Sequence, residues 1–170
     1  RDDNVTETQK QLIDGAWTNA AGGGTWDVIN PALEEVVQVV PYGGRDDCRA
    51  AIEAASRAFP AWSRRTAYER GAILARAAHL LRERSDEIGR TIVMESGKPF
   101  VQGKGECLVA ADLFDWFAEE GKRAYGRTIP SRTPTKRMTV IRQPLGVVGV
   151  ITAWNFPAYN PARAWAADAC

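Results

Sequence analysis

The chain has 170 residues, which is enough for one domain with a hydrophobic core. Its 22 basic and 21 acidic side chains leave a net charge of +1, so the composition favours neither nucleic acid nor an anionic membrane surface as a partner. The longest apolar run, from Leu145 to Trp154, is too short to span a bilayer.

The N-terminal part of the chain has the composition of short strands. β-Prone residues cover 12–20 and 25–31, and the glycines at 22–24 between them predict a turn, because glycine tolerates positive φ. A phosphate-binding loop is the alternative for these glycines, but it needs a helix N-terminus behind it, and a β-prone run follows instead. A third predicted strand covers 34–43 and ends at a proline and a glycine.

Helical patterns follow. Asp46 or Asp47 is predicted to cap the first helix. Its apolar face consists of Ile52, Ala55 and Phe59. Thr66 and Glu69 fit a capping box at the start of the second helix. The apolar stripe of the second helix consists of Ile73, Leu74, Ala77, Leu80 and Leu81.

Two further helices are predicted. Ser85 is placed to cap the third helix, and acidic residues in its first turn suit the positive end of the helix dipole. That helix should end at Gly97, shortly before a proline. The fourth helix is predicted over 100–125, where apolar side chains recur at helical spacing.

The pattern returns to strands after the fourth helix. Residues 127–132 and 136–144 are predicted to form two strands of a ribbon. In the second strand Met138 and Val140 share one face, whereas Thr139 points to the other. This mixture suits an exposed ribbon or a sheet edge better than a core.

Residues 147–153 are apolar on both faces, as in a strand that helices cover on both sides. Such a strand followed by a helix is half of a doubly wound α/β unit. The predicted fold class is therefore α/β, with this strand opening a Rossmann-like sheet. Gly146 and Gly149 lack the G-x-G-x-x-G spacing, so a Rossmann phosphate loop is not predicted here.

A polar amide follows the predicted strand, between two large aromatic residues. Ligands of open α/β sheets bind at the carboxyl ends of strands, where Trp154, Asn155 and Phe156 lie. A neutral amide aimed at a developing oxyanion stabilises acyl-transfer transition states, and the aromatic neighbours would exclude water. The alternative is that Asn155 caps the next helix, with Pro157 near its first turn. The residues alone favour the cap and leave both roles open.

Other polar candidates are weaker. His79, the one histidine, lies on the second predicted helix and suits a helix surface. Cys48 and Cys107 fall inside predicted helices, and Cys170 has no activating neighbours, so none has the setting of a nucleophile. No zinc-ligand spacing occurs. Three distant cysteines indicate reduced thiols in a cytoplasmic protein.

Five segments, in order, resemble the NAD(P)-dependent aldehyde dehydrogenase superfamily. They are "LIDGAW", "INPALEEVVQVVP", "AFPAWSRRTAYERGAILARAAHLLRERSDEIG", "MESGKP" and "QPLGVVGVITAWNFP". The resemblance implies that 1–126 forms the N-terminal strands and helices of the cofactor-binding domain. It further implies that 127–144 is an oligomerisation ribbon of a dimer or tetramer, and that 145–170 begins the NAD(P)-binding sheet.

The resemblance also assigns roles to the residues around the amide. Asn155 matches the family's oxyanion donor, which polarises the aldehyde and holds the oxyanion of the thiohemiacetal, while the aromatic residues form walls of the pocket. The cofactor implied is NAD or NADP. The positions that match the nicotinamide end of its site are Ile151, Thr152, Ala153, Trp154 and Asn155.

The chain ends within the predicted helix that follows this motif, so we expect it to be the N-terminal portion of a longer protein. The nucleophilic Cys and general-base Glu of the family lie further on, and Cys170 does not match that nucleophile. We therefore expect the complete protein to oxidise an aldehyde to a carboxylate, and this chain alone to be inactive. The alternative is a truncated, non-catalytic structural or interaction module.

The substrate pocket implied by the resemblance includes Phe156, Asn160 and Arg163. Counted from a helix start at Pro157, Asn160 and Arg163 lie three residues apart and share one face. Members of the superfamily that act on succinic semialdehyde resemble this chain in placing an Arg at this position, where a guanidinium can pair with a carboxylate. A solvated helix residue or an interface salt-bridge partner is the alternative for Arg163.

Overall fold

The computed structural model describes residues 8–170, and the polar stretch 1–7 lies outside this range. The strands are β1 (Gln11–Ile13), β2 (Ala16–Thr18), β3 (Thr25–Asn30), β4 (Glu35–Pro41), β5 (Arg127–Ile129) and β6 (Met138–Val140). The helices are α1 (Arg45–Ser63), α2 (Ala67–Glu83), α3 (Ser85–Ser96), α4 (Phe100–Glu120) and α5 (Tyr159–Ala169). A short 3-10 helix, Gly121–Arg123, follows α4.

The strand predicted over 12–20 is instead a hairpin of β1 and β2. Asp14 and Gly15 form its two-residue turn with φ of 53° and 75°, because Asp-Gly readily adopts the left-handed conformation that tight hairpins require. The glycine turn that follows is confirmed: the Gly23 N–H donates to the Ala20 carbonyl at 2.8 Å, and Gly23 has a φ of 68°.

The next two predicted strands are confirmed as an antiparallel pair, in which Thr25 of β3 lies opposite Pro41 of β4. The pair contains a bulge between Val28 and Ile29.

The start of α1 differs from the prediction. Gly44, not Asp46 or Asp47, is its N-cap. Asp47 lies in the first turn, where its carboxylate accepts hydrogen bonds from the N–H groups of Gly44 at 2.8 Å and Ala21 at 2.9 Å. The predicted apolar face of α1 remains largely uncovered by the described residues, and Ile52 is 53% exposed.

The capping box of α2 is confirmed. The Glu69 N–H donates to Oγ1 of Thr66 at 3.2 Å, and the Thr66 N–H donates to the Glu69 carboxylate at 2.7 Å. The cap predicted for α3 is wrong, because Arg84 is the N-cap and Ser85 is the first helical residue, with no side-chain capping bond. The end of α3 is confirmed: Gly97 adopts a φ of 67° there.

The core lies between α2, α3, α4 and α5 and consists mainly of small side chains. Glycine lets these helices approach closely: a Cβ added to Gly103 of α4 would lie 2.9 Å from the carbonyl oxygen of Gly89 in α3. The largest buried members of this core are Leu74, Ile92 and Cys107. Among residues 8–170, no helix is both long and apolar enough to cross a membrane.

The C-terminal elements are shorter than predicted. Helix α4 ends at Glu120 and not near 125, and the ribbon is confirmed as three-residue strands with Thr128 opposite Thr139. The predicted strand at 147–153 is not formed; this segment has no regular hydrogen-bonded structure. A strand requires backbone partners, and the sheets within the described range are three separate two-stranded pairs, none beside this segment.

Candidate active site

The Trp-Asn-Phe-Pro segment lies immediately before α5. Residues 154–158 form turns, and α5 begins at Tyr159 with Ala158 as its N-cap. The alternative that Asn155 caps this helix is therefore wrong, as is the helix start predicted at Pro157. The first backbone N–H groups of α5 are bound by a side chain from another helix.

Glu106 of α4 provides that side chain. Its Oε1 accepts hydrogen bonds from the N–H groups of Ala158 at 2.8 Å and Tyr159 at 3.1 Å. The residue is only 6% exposed. A carboxylate at this end of a helix also interacts favourably with the helix dipole. Helix α4 thereby fixes the start of α5 and the turn that precedes it.

Lys98, between α3 and α4, connects this carboxylate to the motif. Its Nζ lies 2.5 Å from Oε2 of Glu106 and donates to the backbone carbonyl of Asn155 at 2.9 Å. The same ammonium group lies 4.1 Å from the centre of the Phe156 ring, within cation–π distance. The side chains of Lys98 and Glu106 are 14% and 2% exposed, so solvent screens their interaction little.

Lys98 and Glu106 were not among the functional residues predicted from the sequence. One signal was present in the sequence: Glu106 is an acidic residue at helical spacing among the small residues Gly103, Cys107 and Ala110, which α4 buries. A carboxylate on a buried helix stripe requires a partner, but the sequence does not show which one.

Asn155 itself is exposed, although its backbone is held by Lys98. The aromatic neighbours are also accessible, with Trp154 81% and Phe156 45% exposed. Within residues 8–170 these rings leave the amide open to solvent, and their expected role as walls of the substrate pocket stays a prediction.

The four residues ahead of Asn155 run through an exposed segment without regular structure. Ile151, Thr152 and Ala153 belong to it, and the Ala153 carbonyl accepts a hydrogen bond from the side-chain amide of Asn160 at 3.2 Å. Asn160 therefore tethers the predicted cofactor segment to the first turn of α5.

Arg163 lies one turn further along α5 and is exposed. Its guanidinium carbon lies 5.8 Å from the centre of the Tyr159 ring, which in turn contacts Phe156 edge-on at 6.2 Å. Arg163 forms no salt bridge with a carboxylate of the described residues. Its charge is thus accessible on the same helix end that carries the motif.

The remaining candidates lack a reactive setting. His79 is exposed on α2, 3.8 Å from Glu83, as predicted for a helix-surface residue. Burial, together with the Glu106 charge, raises the pKa of the Cys107 thiol, and burial also raises the pKa of Cys170. Raised pKa values keep both thiols protonated and weakly nucleophilic at neutral pH. Residues 8–170 contain no cluster of His, Cys, Asp and Glu that could hold a metal ion.

A groove of about 510 Å³ lies between α2, α3, α4 and α5. Its lining is almost entirely apolar and includes Leu80, Ile88, Phe114 and Trp165, but neither Asn155 nor Arg163. Burial beside it raises the pKa of Glu95. The groove therefore borders the turn before α5 at Pro157 and Ala158 but does not reach Asn155 or Arg163.

The arrangement of helices and strands is that of known dehydrogenase structures. An NADP-dependent enzyme of Escherichia coli superimposes with a TM-score of 0.93 at 47% identity, over 95% of this chain and 34% of that one. The succinate-semialdehyde dehydrogenase of Burkholderia pseudomallei gives a TM-score of 0.92 at 40% identity, over 100% of this chain and 36% of that one. The fold is therefore the mixed helix-and-strand fold of the N-terminal part of aldehyde dehydrogenase structures.

The sequence agrees with this class. The profile of the aldehyde dehydrogenase family matches residues 17–169, and the chain belongs to that family. Over 150 residues it is 49% identical to the NADP(+) succinate-semialdehyde dehydrogenase of Escherichia coli (strain K12), and also to the glutarate-semialdehyde dehydrogenase of Pseudomonas putida (strain KT2440). These alignments cover 88% of this chain but 31% of each relative, so the chain spans about a third of their length.

Proposed function

We propose that the complete protein oxidises an aldehyde to a carboxylate with NAD or NADP as hydride acceptor, and that Asn155 binds the aldehyde oxygen. The observation that carries this proposal is the geometry of Asn155. The buried Lys98 ammonium group donates a hydrogen bond to the backbone carbonyl of Asn155. Asn155 itself remains exposed in the turn that precedes α5. Family membership indicates the reaction class, and the side-chain amide of Asn155 is the group that we propose binds the aldehyde oxygen.

The role follows from charge. Attack on an aldehyde places negative charge on its oxygen, and a neutral amide N–H can donate to that oxygen at any working pH. A donor that is already oriented stabilises the charge without a reorganisation cost during the reaction. The hydrogen bond from Lys98 to the Asn155 carbonyl restricts the backbone that carries this donor.

The segment before Asn155 fits a nicotinamide cofactor. Ile151 and Trp154 present exposed apolar surface, on which a planar ring can pack, and Asn160 restrains the backbone at Ala153. Together with Thr152 and Asn155 these residues would contact the nicotinamide end. When bound, the nicotinamide of the cofactor would accept the hydride from the substrate.

The substrate class that we propose is a short aldehyde bearing an anionic group, such as a semialdehyde. Arg163 supports this, because its exposed guanidinium lies on the helix that begins beside Asn155 and Phe156. A guanidinium can form a bidentate, charge-assisted pair with a carboxylate. The named relatives act on succinate and glutarate semialdehydes, which carry such a group.

The test replaces Asn155 in the complete protein. Asn155→Ala should lower kcat by roughly 10²–10³-fold, the usual effect of removing one oxyanion donor. Asn155→Asp keeps the size but replaces the donor by a negative charge, so it should lose at least as much. The cofactor Kd should change little in both variants. A fall in kcat of less than about tenfold for Asn155→Ala would reject the oxyanion role.

A further inference from the structure

We propose that Lys98 and Glu106 are positioning residues for the reaction, which act by fixing the backbone that carries the Asn155 amide. This inference rests on the role proposed for Asn155. Neither residue is assigned to bind the substrate or the cofactor.

The first support is the number of contacts that this one ion pair makes with the motif. Glu106 binds the N–H groups of Ala158 and Tyr159, after the turn. Lys98 binds the carbonyl of Asn155 and lies over the Phe156 ring, within the turn. The pair therefore holds the segment 155–159 from both ends, whereas its own ammonium and carboxylate groups satisfy each other.

The second support is burial. The other ion pairs formed by residues 8–170 have at least one side chain that is 45% or more exposed, such as Lys104 with Asp86 at 40% and 61%. Lys98 and Glu106 are 14% and 2% exposed. Burying two charges costs desolvation energy that their attraction often does no more than offset. Stability alone is thus a weak reason for this pair, and its contacts with 155–159 provide a functional one.

The third support is the expected effect of removing the Lys98 ammonium group on the position of Asn155. Without Lys98 the Asn155 carbonyl loses its hydrogen bond from the segment between α3 and α4, and the turn at 154–158 can shift relative to the core. A displacement of about 1 Å in a reacting group can cost about 10²-fold in rate. Such a loss appears mainly in kcat, because Arg163 and most of the proposed nicotinamide contacts lie outside this turn.

The experiment uses the complete protein and Lys98→Met, which keeps an unbranched stem but removes the ammonium group. We expect kcat to fall roughly 10–100-fold, with little change in the KM for aldehyde or in the cofactor Kd. The matched control is Lys104→Met, which breaks an ion pair between α3 and α4 that does not involve residues 155–159. This control should leave kcat within about twofold of wild type.

A double-variant cycle separates positioning from general stability. If Lys98 acts through the Asn155 amide, Lys98→Met should lower kcat by less than about threefold further in an Asn155→Ala background. Equal losses in both backgrounds, or no loss in the wild-type background, would overturn the inference and leave the role of Asn155 intact. An Asn155→Ala variant with full turnover would reject the proposed function first, and this inference with it.

Glu106→Gln carries the same cycle if Lys98→Met does not fold, because it keeps the size of the side chain and one acceptor oxygen. Hydrogen exchange of the peptide covering 154–160 gives a readout independent of turnover. Exchange should become faster in Lys98→Met and Glu106→Gln but not in Lys104→Met. Unchanged exchange in both of the first two variants would overturn the inference.

Discussion

Gly71 of α2 lies directly against the backbone of Ala118 in α4. A Cβ added to Gly71 would lie 2.6 Å from the Ala118 carbonyl oxygen, a distance that requires the helices to separate. We predict that Gly71→Ala destabilises the fold. Overpacking of this kind typically costs about 1–3 kcal/mol, which exceeds the gain of up to about 1 kcal/mol from replacing glycine in a helix.

The matched control is Gly105→Ala in α4, where an added Cβ meets no atom within 4 Å. This variant should raise stability by up to about 1 kcal/mol through helix propensity alone. Urea unfolding midpoints of the two variants and the wild type measure the difference. If both variants shifted the urea midpoint equally and in the same direction, the close contact between Gly71 and Ala118 would not be destabilising the Gly71→Ala variant.

The features predicted correctly from the sequence are those set by neighbouring residues. The capping box of Thr66 and Glu69 involves one turn of chain, and the end of α3 at Gly97 needs only a left-handed residue. The strand predicted at 147–153 is different, because its apolar composition indicates burial but cannot supply partner strands. The helix caps at Gly44 and Arg84 were missed because acidic and hydroxyl side chains near a helix start can occupy the first turn instead.

The hydrogen bonds that Asp47 accepts make the stability of the fold depend on pH. Hydrogen bonds from the Gly44 and Ala21 N–H groups, and from Gln11, hold the pKa of its carboxyl below the ordinary value of 3.8. A lowered pKa in the folded state contributes stability that is present above the unfolded pKa and lost as the pH falls through the folded one. Asp47→Asn should therefore be less stable than wild type at pH 7, and the difference should narrow below about pH 4.

Urea midpoints measured at several pH values from neutral down to about pH 3 test this prediction. Asp46→Asn is the control, because the Asp46 side chain is 80% exposed and its one ion pair among residues 8–170 is with Arg49 at 3.5 Å. It should change stability little at neutral pH. A gap between Asp47→Asn and wild type that is constant at every pH would contradict the linkage.

The exposed ribbon of β5 and β6 has the character of a contact surface between subunits. Residues 127–144 contain five basic and no acidic side chains, and Met138 and Val140 are 46% and 45% exposed. We propose that the complete protein is a dimer or tetramer in which this ribbon contacts another subunit. Met138→Glu should weaken assembly, whereas Thr139→Glu, on the opposite face, should not. Sedimentation across a range of concentrations measures this, and a wild-type monomer throughout would refute it.

The candidate site was only partly predictable. Asn155 stood out because an amide between two aromatic residues is unusual after an apolar run. The pair that holds it did not, because Lys98 and Asn155 are 57 positions apart and meet only through the packing of α3, α4 and α5. The same packing decides that Glu106, and not Asn155, binds the first N–H groups of α5. Local patterns therefore indicated the chemical group, and tertiary contacts indicate how it is held.

Arg163 provides the test of the proposed substrate class. Its guanidinium is accessible and makes no ion pair within the part of the chain that the structure describes, so replacing it should leave the fold intact. Arg163→Leu should remove a charge-assisted hydrogen bond to an anionic substrate, which is worth about 1.5–3 kcal/mol, or roughly 10- to 150-fold in kcat/KM. A neutral aldehyde of equal length should lose little. The measurement is the ratio of kcat/KM for succinic semialdehyde to kcat/KM for the neutral aldehyde, in wild type and in the variant.

Arg163→Lys keeps the charge but not the bidentate geometry, so it should give an intermediate ratio. A ratio that is the same in all three proteins would assign Arg163 to the helix surface or to a subunit contact, and the anionic substrate class would lose its support in this chain.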